Sequence, residues 1–349
     1  MSFWRNKRVL ITGHTGFKGS WLAFWLKFLE AEVCGYSLAP ETAPNLFENL
    51  KIENQIKSVF GDVRDLSAFE KTLDEFKPEI VFHLAAQALV RRSYREPIDT
   101  YTTNVVGTIN ILDAVRRSDF VKSVVIVTTD KVYENKEWLW GYRETERLGG
   151  FDPYSNSKAC AELAVSAYRN SFFVESETLI ATARAGNVIG GGDWSEDRLL
   201  PDVFRSLCFG EKLEIRNPHS IRPWQHALEP LAGYLKLGEK LYAGEKSFAE
   251  AWNFGPSDED SKPVGWILEE IKRIWKEPIN WKIAEGTQLH EARLLKLDSA
   301  KAKSRLKWKP KLSLSEAINL TVDWYKNFKN NSDLTEITRK QIEFYQDKQ

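Results

Sequence analysis

Cysteine is scarce in this chain of 349 residues, which contains only three. Cys34, Cys160 and Cys208 are odd in number and far apart, so neither a disulfide framework nor a Cys-x-x-Cys zinc site is expected. The five histidines also lack the paired spacing of metal ligands. We therefore expect a cytoplasmic protein without a bound metal ion.

Excess charge and long apolar runs are missing as well. Basic and acidic residues number 49 each, and this balance argues against a nucleic-acid partner. No segment reaches the roughly 18 apolar residues that a membrane span needs. The basic N-terminus is followed only by Val9-Leu10-Ile11-Thr12 and a glycine loop, which is not the pattern of a signal peptide. We therefore expect neither nucleic acid nor membrane as a partner.

The chain does contain a regular alternation of short apolar runs and helical patterns. The apolar runs lie at 9–12, 32–36, 58–60, 80–83, 123–128 and 178–184. The helical patterns between them include 20–29, 66–76, 104–117 and 156–170. Strands that alternate with helices predict an α/β protein with a Rossmann-type, doubly wound parallel sheet.

The rhythm changes after the glycine triplet at 190–192, where segments become irregular and rich in Trp, Pro and Arg. We expect a Rossmann domain over 1–190, to which the chain returns around 225–250. A smaller mixed α/β substrate domain is expected over 191–330. The polar segment 331–349 is interpreted as a C-terminal tail on the surface.

A glycine-rich loop follows the first predicted strand and opens the first helix, with the sequence Thr12-Gly13-His14-Thr15-Gly16-Phe17-Lys18-Gly19. Glycines there permit a tight turn and a close approach of the backbone to a pyrophosphate at the helix N-terminus. The position between strand and helix is the context that this motif requires. The alternative is a glycine turn without a ligand.

Two further features bear on a dinucleotide. Asp62, just past the third strand, is placed to accept a hydrogen bond from an adenine amino group, although a helix cap before Leu66 is an alternative role. After Tyr36 neither an acid for a ribose 2′-hydroxyl nor an arginine for a 2′-phosphate follows. The residues themselves therefore leave NAD and NADP undecided.

Tyr154 and Lys158 are four residues apart on a predicted helix and so lie on one face. A phenol is a poor base at pH 7, and a neighbouring cation favours its phenolate. The order along the chain strengthens this pair, because the glycine loop comes first and Thr128-Thr129-Asp130 ends a strand before it. These residues predict a site for proton transfer.

Together these motifs resemble the extended short-chain dehydrogenase/reductase family, in its nucleotide-sugar branch. The match runs from Lys7 to about Trp324. The resemblance implies NAD as the cofactor, Lys158 also holding its nicotinamide ribose. The implied cofactor-binding residues are Gly13, Thr15, Gly16, Phe17, Lys18, Gly19, Asp62, Leu84, Ala85, Ala86, Asn104, Thr128, Tyr154, Lys158 and Arg184.

Within that branch, Thr129-Asp130-Lys131 is similar to the subgroup of 4,6-dehydratases that act on CDP-glucose. The resemblance implies that Tyr154, helped by Thr129 and Lys158, removes the proton of the sugar 4-hydroxyl. Lys131, when uncharged, would take the C5 proton while Asp130 protonates the departing C6 hydroxyl. The alternative for Asp130 and Lys131 is a surface ion pair beside the site.

The resemblance also implies a substrate subsite for a diphosphate. Arg198 and Arg222 are the candidates for binding it, with Asn187 donating hydrogen bonds. The predicted substrate-binding residues as a whole are Gln87, Asn187, Arg198, Arg222 and His290. Guanidinium groups suit phosphate oxygens, although a solvated surface charge is the simpler role for a single arginine. His290 and the adjacent Glu291 also fit a capping or core role.

Two other functions stay open at this point. One is a nucleotide-sugar epimerase or reductase on the same scaffold, against which Asp130 argues. The other is a non-catalytic dinucleotide-binding module, and such proteins usually lose the Tyr or the Lys. Family resemblance further implies a homodimer, in which helices 104–117 and 156–170 pack across a two-fold axis.

Overall fold

The computed structural model describes residues 3–284 and 294–348. Its strands are β1 (Arg8–Thr12), β2 (Glu32–Ser37), β3 (Lys57–Phe60), β4 (Ile80–His83), β5 (Ser123–Val127), β6 (Leu179–Arg184), β7 (Val188–Ile189), β8 (Leu213–Ile215), β9 (Ile221–Pro223), β10 (Gln225–His226), β11 (Ala251–Asn253), β12 (Ser261–Pro263) and β13 (Trp281–Ile283). Its helices are α1 (Phe17–Phe28), α2 (Leu46–Asn49), α3 (Leu66–Phe76), α4 (Val90–Arg95), α5 (Pro97–Tyr101), α6 (Gly107–Arg117), α7 (Pro153–Phe172), α8 (Leu199–Phe209), α9 (Leu228–Tyr242), α10 (Val264–Trp275), α11 (Ala300–Arg305), α12 (Leu314–Lys329) and α13 (Leu334–Asp347).

The central sheet is parallel, with strand order β3-β2-β1-β4-β5-β6-β11. Both of its faces are covered, so successive apolar side chains of one strand enter different cores. Val9 and Ile11 pack with α1 and α9, whereas Leu10 packs with α3, α6 and α7. The strand order reverses between β1 and β4, which opens a cleft at the carboxyl edge of the sheet. The predicted α/β Rossmann-type class is confirmed.

The segment after residue 190 is built from small sheets that pair β7 with β10, β8 with β13 and β9 with β12. The chain then rejoins the main sheet, because α9 packs on β5 and β6 and β11 pairs with β6. The division into two domains at residue 190 stays a prediction.

The segment predicted as a polar surface tail is largely a helix, α13, that packs on the core. Ile342 and Tyr345 are buried, and the Tyr345 ring meets Trp25 of α1 edge-on at 5.7 Å. The phenol of Tyr345 donates to Oε2 of buried Glu229 in α9 at 2.8 Å. The interpretation as a surface tail was wrong because its apolar residues recur at helical spacing among many charged ones.

Because Glu229 is a buried carboxyl, the free energy of unfolding should depend on pH. Burial raises the pKa of Glu229 from 4.5 to about 7, although the N–H groups of Leu312 and Lys311 and the Tyr345 hydroxyl favour the anion. The folded state therefore binds the proton more tightly, and the resulting stabilisation is complete below pH 4.5 and lost as the pH rises through 7. Glu229→Gln has no titratable carboxyl at this position, so its stability should not fall with pH for this reason.

We expect wild type to lose about 3 kcal/mol relative to Glu229→Gln between pH 5 and 8, measured by thermal or denaturant unfolding. Glu343→Gln, on the partly exposed face of α13, is the control and should follow wild type. Parallel curves for wild type and Glu229→Gln would show that the buried carboxyl does not titrate over this range.

Candidate active site

The glycine loop forms a backbone cradle between β1 and α1. Gly13 has φ of 77°, and a Cβ there would lie 2.7 Å from the backbone N of Ala85. A Cβ on Gly19 would lie 2.0 Å from the Gly13 carbonyl oxygen. Helix α1 begins after Gly16, which offers no side-chain cap, and no acid lies in its first turn. Its first N–H groups are thus available to an anion, and the cradle fits the diphosphate of a dinucleotide.

The predicted cofactor residues around this loop have different environments. Thr15 donates to the Leu38 carbonyl at 2.9 Å, so its hydroxyl joins the loop to the end of β2. The N–H of Ala85 donates to the Thr12 hydroxyl at 3.2 Å. Others lie on the wall of a cavity of about 680 Å³: Phe17, Lys18, Leu84 and Ala86.

Asp62 is not a helix cap. Helix α3 is capped by Asp65, whose carboxylate accepts from the N–H of Ala68. The carboxylate of Asp62 accepts instead from the Nε of Arg64 at 2.9 and 3.0 Å, and this hydrogen-bonded guanidinium lowers its pKa. The alternative role is therefore corrected, and the adenine contact of Asp62 stays a prediction.

The predicted catalytic residues Thr129, Asp130, Lys131, Tyr154 and Lys158 all lie on the wall of the same cavity. The first three follow β5, whereas the last two stand in the first turns of α7. That helix starts sharply because Pro153 occupies its first turn and Asp152 accepts from the N–H of Ser155 at 2.9 Å. The end of a strand and the start of a helix thus converge on one cavity.

Asp130 and Lys131 lie on a short 3-10 turn that Thr129 caps. The Thr129 hydroxyl donates to Oδ1 of Asp130 at 2.9 Å, and Oδ2 of Asp130 is buried without a hydrogen-bond partner among the described residues. Asp130 is 2% exposed, so it is not part of a surface ion pair. A Cβ on residue 186 would lie only 2.0 Å from the Asp130 carboxylate, which explains why that position is a glycine.

Burial dominates the electrostatics of this cavity. It lowers the pKa of Lys158 to about 7, with Lys18 lowering it further and Glu162 opposing. It lowers the pKa of Lys18 to about 8, with Arg198 acting in the same direction. Burial also raises the pKa of Tyr154 to about 12, against the hydrogen bond with Thr129 and the charge of Arg198. The expected lowering of the Tyr154 pKa by a cation is thus outweighed by desolvation in the protein alone.

Gln87 and Asn104 hold the loop after β4 in place. Asn104 accepts from the Gln87 N–H at 2.9 Å and donates to its carbonyl at 3.0 Å and to Ser157 of α7 at 2.9 Å. The Gln87 amide donates to Thr100 at 2.8 Å. Neither residue is on the cavity wall. Their side chains are engaged within the protein, so their ligand contacts stay predictions.

Arg184, a predicted cofactor-binding residue, is bonded within the protein. Arg184 lies behind the cavity wall, where its Nε and Nη2 donate to the two oxygens of Glu162 at 2.9 and 2.8 Å. Its Nη1 donates to the Tyr133 hydroxyl at 2.8 Å. Thr128 also donates to Glu162, at 2.5 Å. These bonds engage the guanidinium within the protein, so the cofactor contact of Arg184 stays a prediction.

The substrate residues predicted on the second half of the chain mostly reach the cavity. Asn187, Arg198 and Arg222 lie on its wall, which supports a ligand role over a solvated surface charge. Arg198 is held by Asp193 at 3.3 Å and by the Ala88 carbonyl at 3.3 Å. His290, like Glu291, lies outside the described residues.

Arg91 and Arg216 are among the cations of the wall that sequence reasoning missed. Both are hydrogen-bonded to Asp197. Nη1 of Arg91 donates to the Asp197 carboxylate at 2.9 Å, and Nη2 of Arg216 donates to the Asp197 backbone carbonyl at 2.8 Å. No motif pointed to them, because α4 and β8 meet only in the tertiary structure.

The described residues contain neither a membrane-spanning helix nor a cluster of metal ligands. No helix among residues 3–284 and 294–348 is long and apolar enough to cross a membrane. Within the same residues, no group of three or more His, Cys, Asp or Glu side chains is arranged to hold a metal ion.

Solved structures share this fold along nearly their whole length. A UDP-glucose 4-epimerase of Thermotoga maritima, solved with UDP-glucose, superposes with a TM-score of 0.77 at 24% identity, covering 92% of this chain and 99% of that one. A dTDP-glucose 4,6-dehydratase of Bacillus anthracis, solved with NAD, gives 0.76 at 22% identity, covering 93% and 98%. At these identities the likeness establishes the fold alone.

Sequence comparison is more specific. A CDP-glucose 4,6-dehydratase of Salmonella typhimurium is 49% identical over 349 residues, covering 99% of this chain and 97% of the relative. A dTDP-glucose 4,6-dehydratase of Xanthomonas campestris is 28% identical, covering 90% and 92%. The family model described as GDP-mannose 4,6 dehydratase matches residues 10–321. The chain therefore belongs to the GDP-mannose 4,6 dehydratase family.

Proposed function

We propose that this protein is an NAD-dependent CDP-glucose 4,6-dehydratase, a lyase that removes water from the sugar. The observation that carries the proposal is the buried Asp130 beside Lys131 on the wall that also holds Thr129, Tyr154 and Lys158. An epimerase has no need of an acid and a base for elimination. The 49% identity to the Salmonella enzyme supports CDP-glucose as the substrate.

The cradle at Gly13, Gly16 and Gly19 would hold the cofactor diphosphate, with Lys158 near the nicotinamide ribose. When bound, NAD supplies an acceptor for the hydride of C4 and returns that hydride to C6. Tyr154 takes the proton of the 4-hydroxyl, since the hydrogen bond with Thr129 and the charge of Arg198 favour its phenolate. Lys158 stands one turn further along the same face of α7.

Elimination uses the turn after β5. The 4-ketone acidifies the C5 proton, which uncharged Lys131 removes, while Asp130 in its protonated form gives its proton to the departing C6 hydroxyl. The position of Asp130 Oδ2 supports this role, because this oxygen has no hydrogen-bond partner among the described residues and its residue lies on the cavity wall. One water leaves. When the hydride returns to C6, C5 takes a proton back from Lys131, which exchanges with solvent, and the product is a 4-keto-6-deoxy sugar nucleotide.

Turnover with CDP-, dTDP-, UDP- and GDP-glucose, followed by mass spectrometry, tests the proposal. CDP-glucose should give a product lighter by one water at the highest rate. A product of unchanged mass would instead indicate an epimerase, a net change in NADH with substrate would indicate a reductase, and no turnover of any sugar would favour a dinucleotide-binding module.

NAD⁺ should be preferred only modestly over NADP⁺. Strand β2 ends at Ser37, and Ser37-Leu38-Ala39 offers neither a carboxylate to the ribose 2′-hydroxyl nor an arginine to a 2′-phosphate. Calorimetric titration of cofactor-free protein measures both affinities. Tighter binding of NADP⁺ would contradict this prediction.

The enzyme is further proposed to work in the cytoplasm as a homodimer through α6 and α7. Apolar side chains on and just before these helices are exposed, including Ile98 at 79% and Leu163 at 58%. Such side chains support burial against a second copy. Ultracentrifugation should show a dimer that Leu163→Glu converts to monomer, whereas a monomeric wild type would disprove it.

A further inference from the structure

The most deeply buried charges next to the catalytic residues are those of Glu162 and Arg184. Their side chains are 3% and 4% exposed, and they form a bidentate ion pair. Burial disfavours the Glu162 anion, but Arg184 and the hydroxyls of Thr128 and Thr182 hold its pKa below the usual 4.5. Burying an ion pair costs desolvation free energy. Neither Glu162 nor Arg184 lies on the cavity wall, so this cost does not serve a direct contact with a ligand in the cavity.

The partners of Glu162 are parts of the catalytic frame. Its Oε1 accepts from the Thr128 hydroxyl at 2.5 Å, and Thr128 directly precedes Thr129. Its Oε2 accepts from Thr182 of β6 at 2.8 Å. Glu162 thus joins α7 to the ends of β5 and β6 at the point where the chain leaves the sheet for the cavity.

Glu162 also follows Lys158 by four residues and Tyr154 by eight on α7, so all three share one helical face. The ammonium of Lys158 donates to the Val127 carbonyl at 3.2 Å, on the residue before Thr128. Two charged groups act on the pKa of Lys158: Lys18 of α1, which lowers it, and Glu162 of α7, which raises it. Lys158 in turn lowers the pKa of His83 of β4, and Tyr154 stands one turn before Lys158 on α7. Among them, Glu162 is the acid that favours the charged form of Lys158.

We propose that Glu162, paired with Arg184, is a positioning residue that fixes the Thr128–Thr129 turn and favours the positively charged form of Lys158 beside Tyr154. The inference rests on the proposed function in that Lys158 serves Tyr154. It adds a residue that touches neither substrate nor cofactor and acts through Thr128 and Lys158.

Lys158 can be titrated without any substrate. Competitive labelling with acetic anhydride over pH 5–10, with the Lys158 peptide quantified by mass spectrometry, reports its pKa. In Glu162→Gln we expect this pKa to fall by about one unit or more, because a nearby opposite charge has been removed. Glu229→Gln is the matched control and should leave it unchanged, because this buried acid is hydrogen-bonded to Lys311, Leu312 and Tyr345 and does not contribute to the Lys158 pKa.

A separate variant tests whether Glu162 fixes the Thr128–Thr129 turn. Thr128→Val removes the hydroxyl that binds Glu162 and keeps the ion pair. We expect kcat for CDP-glucose to fall about tenfold while the Lys158 pKa and KM stay near those of wild type, since a lost hydrogen bond to a charged group is worth roughly that much. Unchanged kcat in Thr128→Val would overturn the positioning half of the proposal.

An unchanged Lys158 pKa in folded Glu162→Gln would overturn the electrostatic half. If the single variant does not fold because Arg184 is left unpaired, Glu162→Gln/Arg184→Gln removes both charges and carries the same test, a smaller downward shift being expected. The labelling result stands even if wild type fails to turn over CDP-glucose, so failure of this inference and failure of the proposed function are distinguishable.

Discussion

Tyr154→Phe is expected to lower kcat by about two to four orders of magnitude, the range for loss of a general base. Tyr154 lies on the cavity wall with Thr129 and Lys158, and the phenylalanine ring fills the same space without the hydroxyl. Steady-state kinetics with CDP-glucose measures the loss. Cofactor affinity, measured by calorimetry, should persist, because the glycine cradle is untouched.

Tyr242→Phe is the matched control for this variant. It removes a phenol that is bonded to Lys7 and Glu79, and Tyr242 is not on the cavity wall. Its turnover should equal that of wild type. If Tyr154→Phe also stays within about threefold of wild type, Tyr154 is not the base and proton removal from the 4-hydroxyl needs another group.

Lys131→Ala should stop the reaction after oxidation at C4. Without a base for the C5 proton, water is not released, and the absorbance of enzyme-bound NADH should accumulate after mixing with CDP-glucose. Wild type in deuterated water should place solvent deuterium at C5 while the hydrogen of C4 moves within the same molecule to C6. Rapid-mixing absorbance and mass spectrometry of the product measure the two effects.

Lys131→Arg separates a base from a mere positive charge. Arginine keeps the charge but does not give up its proton in proteins, so it should not restore water release. Restored elimination in Lys131→Arg would assign Lys131 an electrostatic role. A dehydrated product from wild type without deuterium at C5 would mean that the elimination mechanism is wrong.

Much of this protein is determined by local sequence. The strands and helices of the Rossmann half follow from period and from flanking residues, because β-branched runs and apolar helical stripes each fit one kind of buried surface. The residues of the glycine loop, and the grouping of Thr129 with Tyr154 and Lys158, also follow from the sequence. Each motif lies next to the element that positions it, at the end of β5 or in the first turns of α1 and α7.

Other features required the tertiary structure. Arg184 has the right spacing for a cofactor residue, yet its guanidinium binds Glu162, since in a low-dielectric interior a buried charge must take the nearest opposite charge. Glu162 itself was detectable only as a third member of the Tyr154 and Lys158 face. The burial of α13 depends on Trp25 and Glu229, which are more than a hundred residues away. Spacing along the chain determines which side chains share a face, but the packing of distant elements decides which of them meet water, ligand or each other.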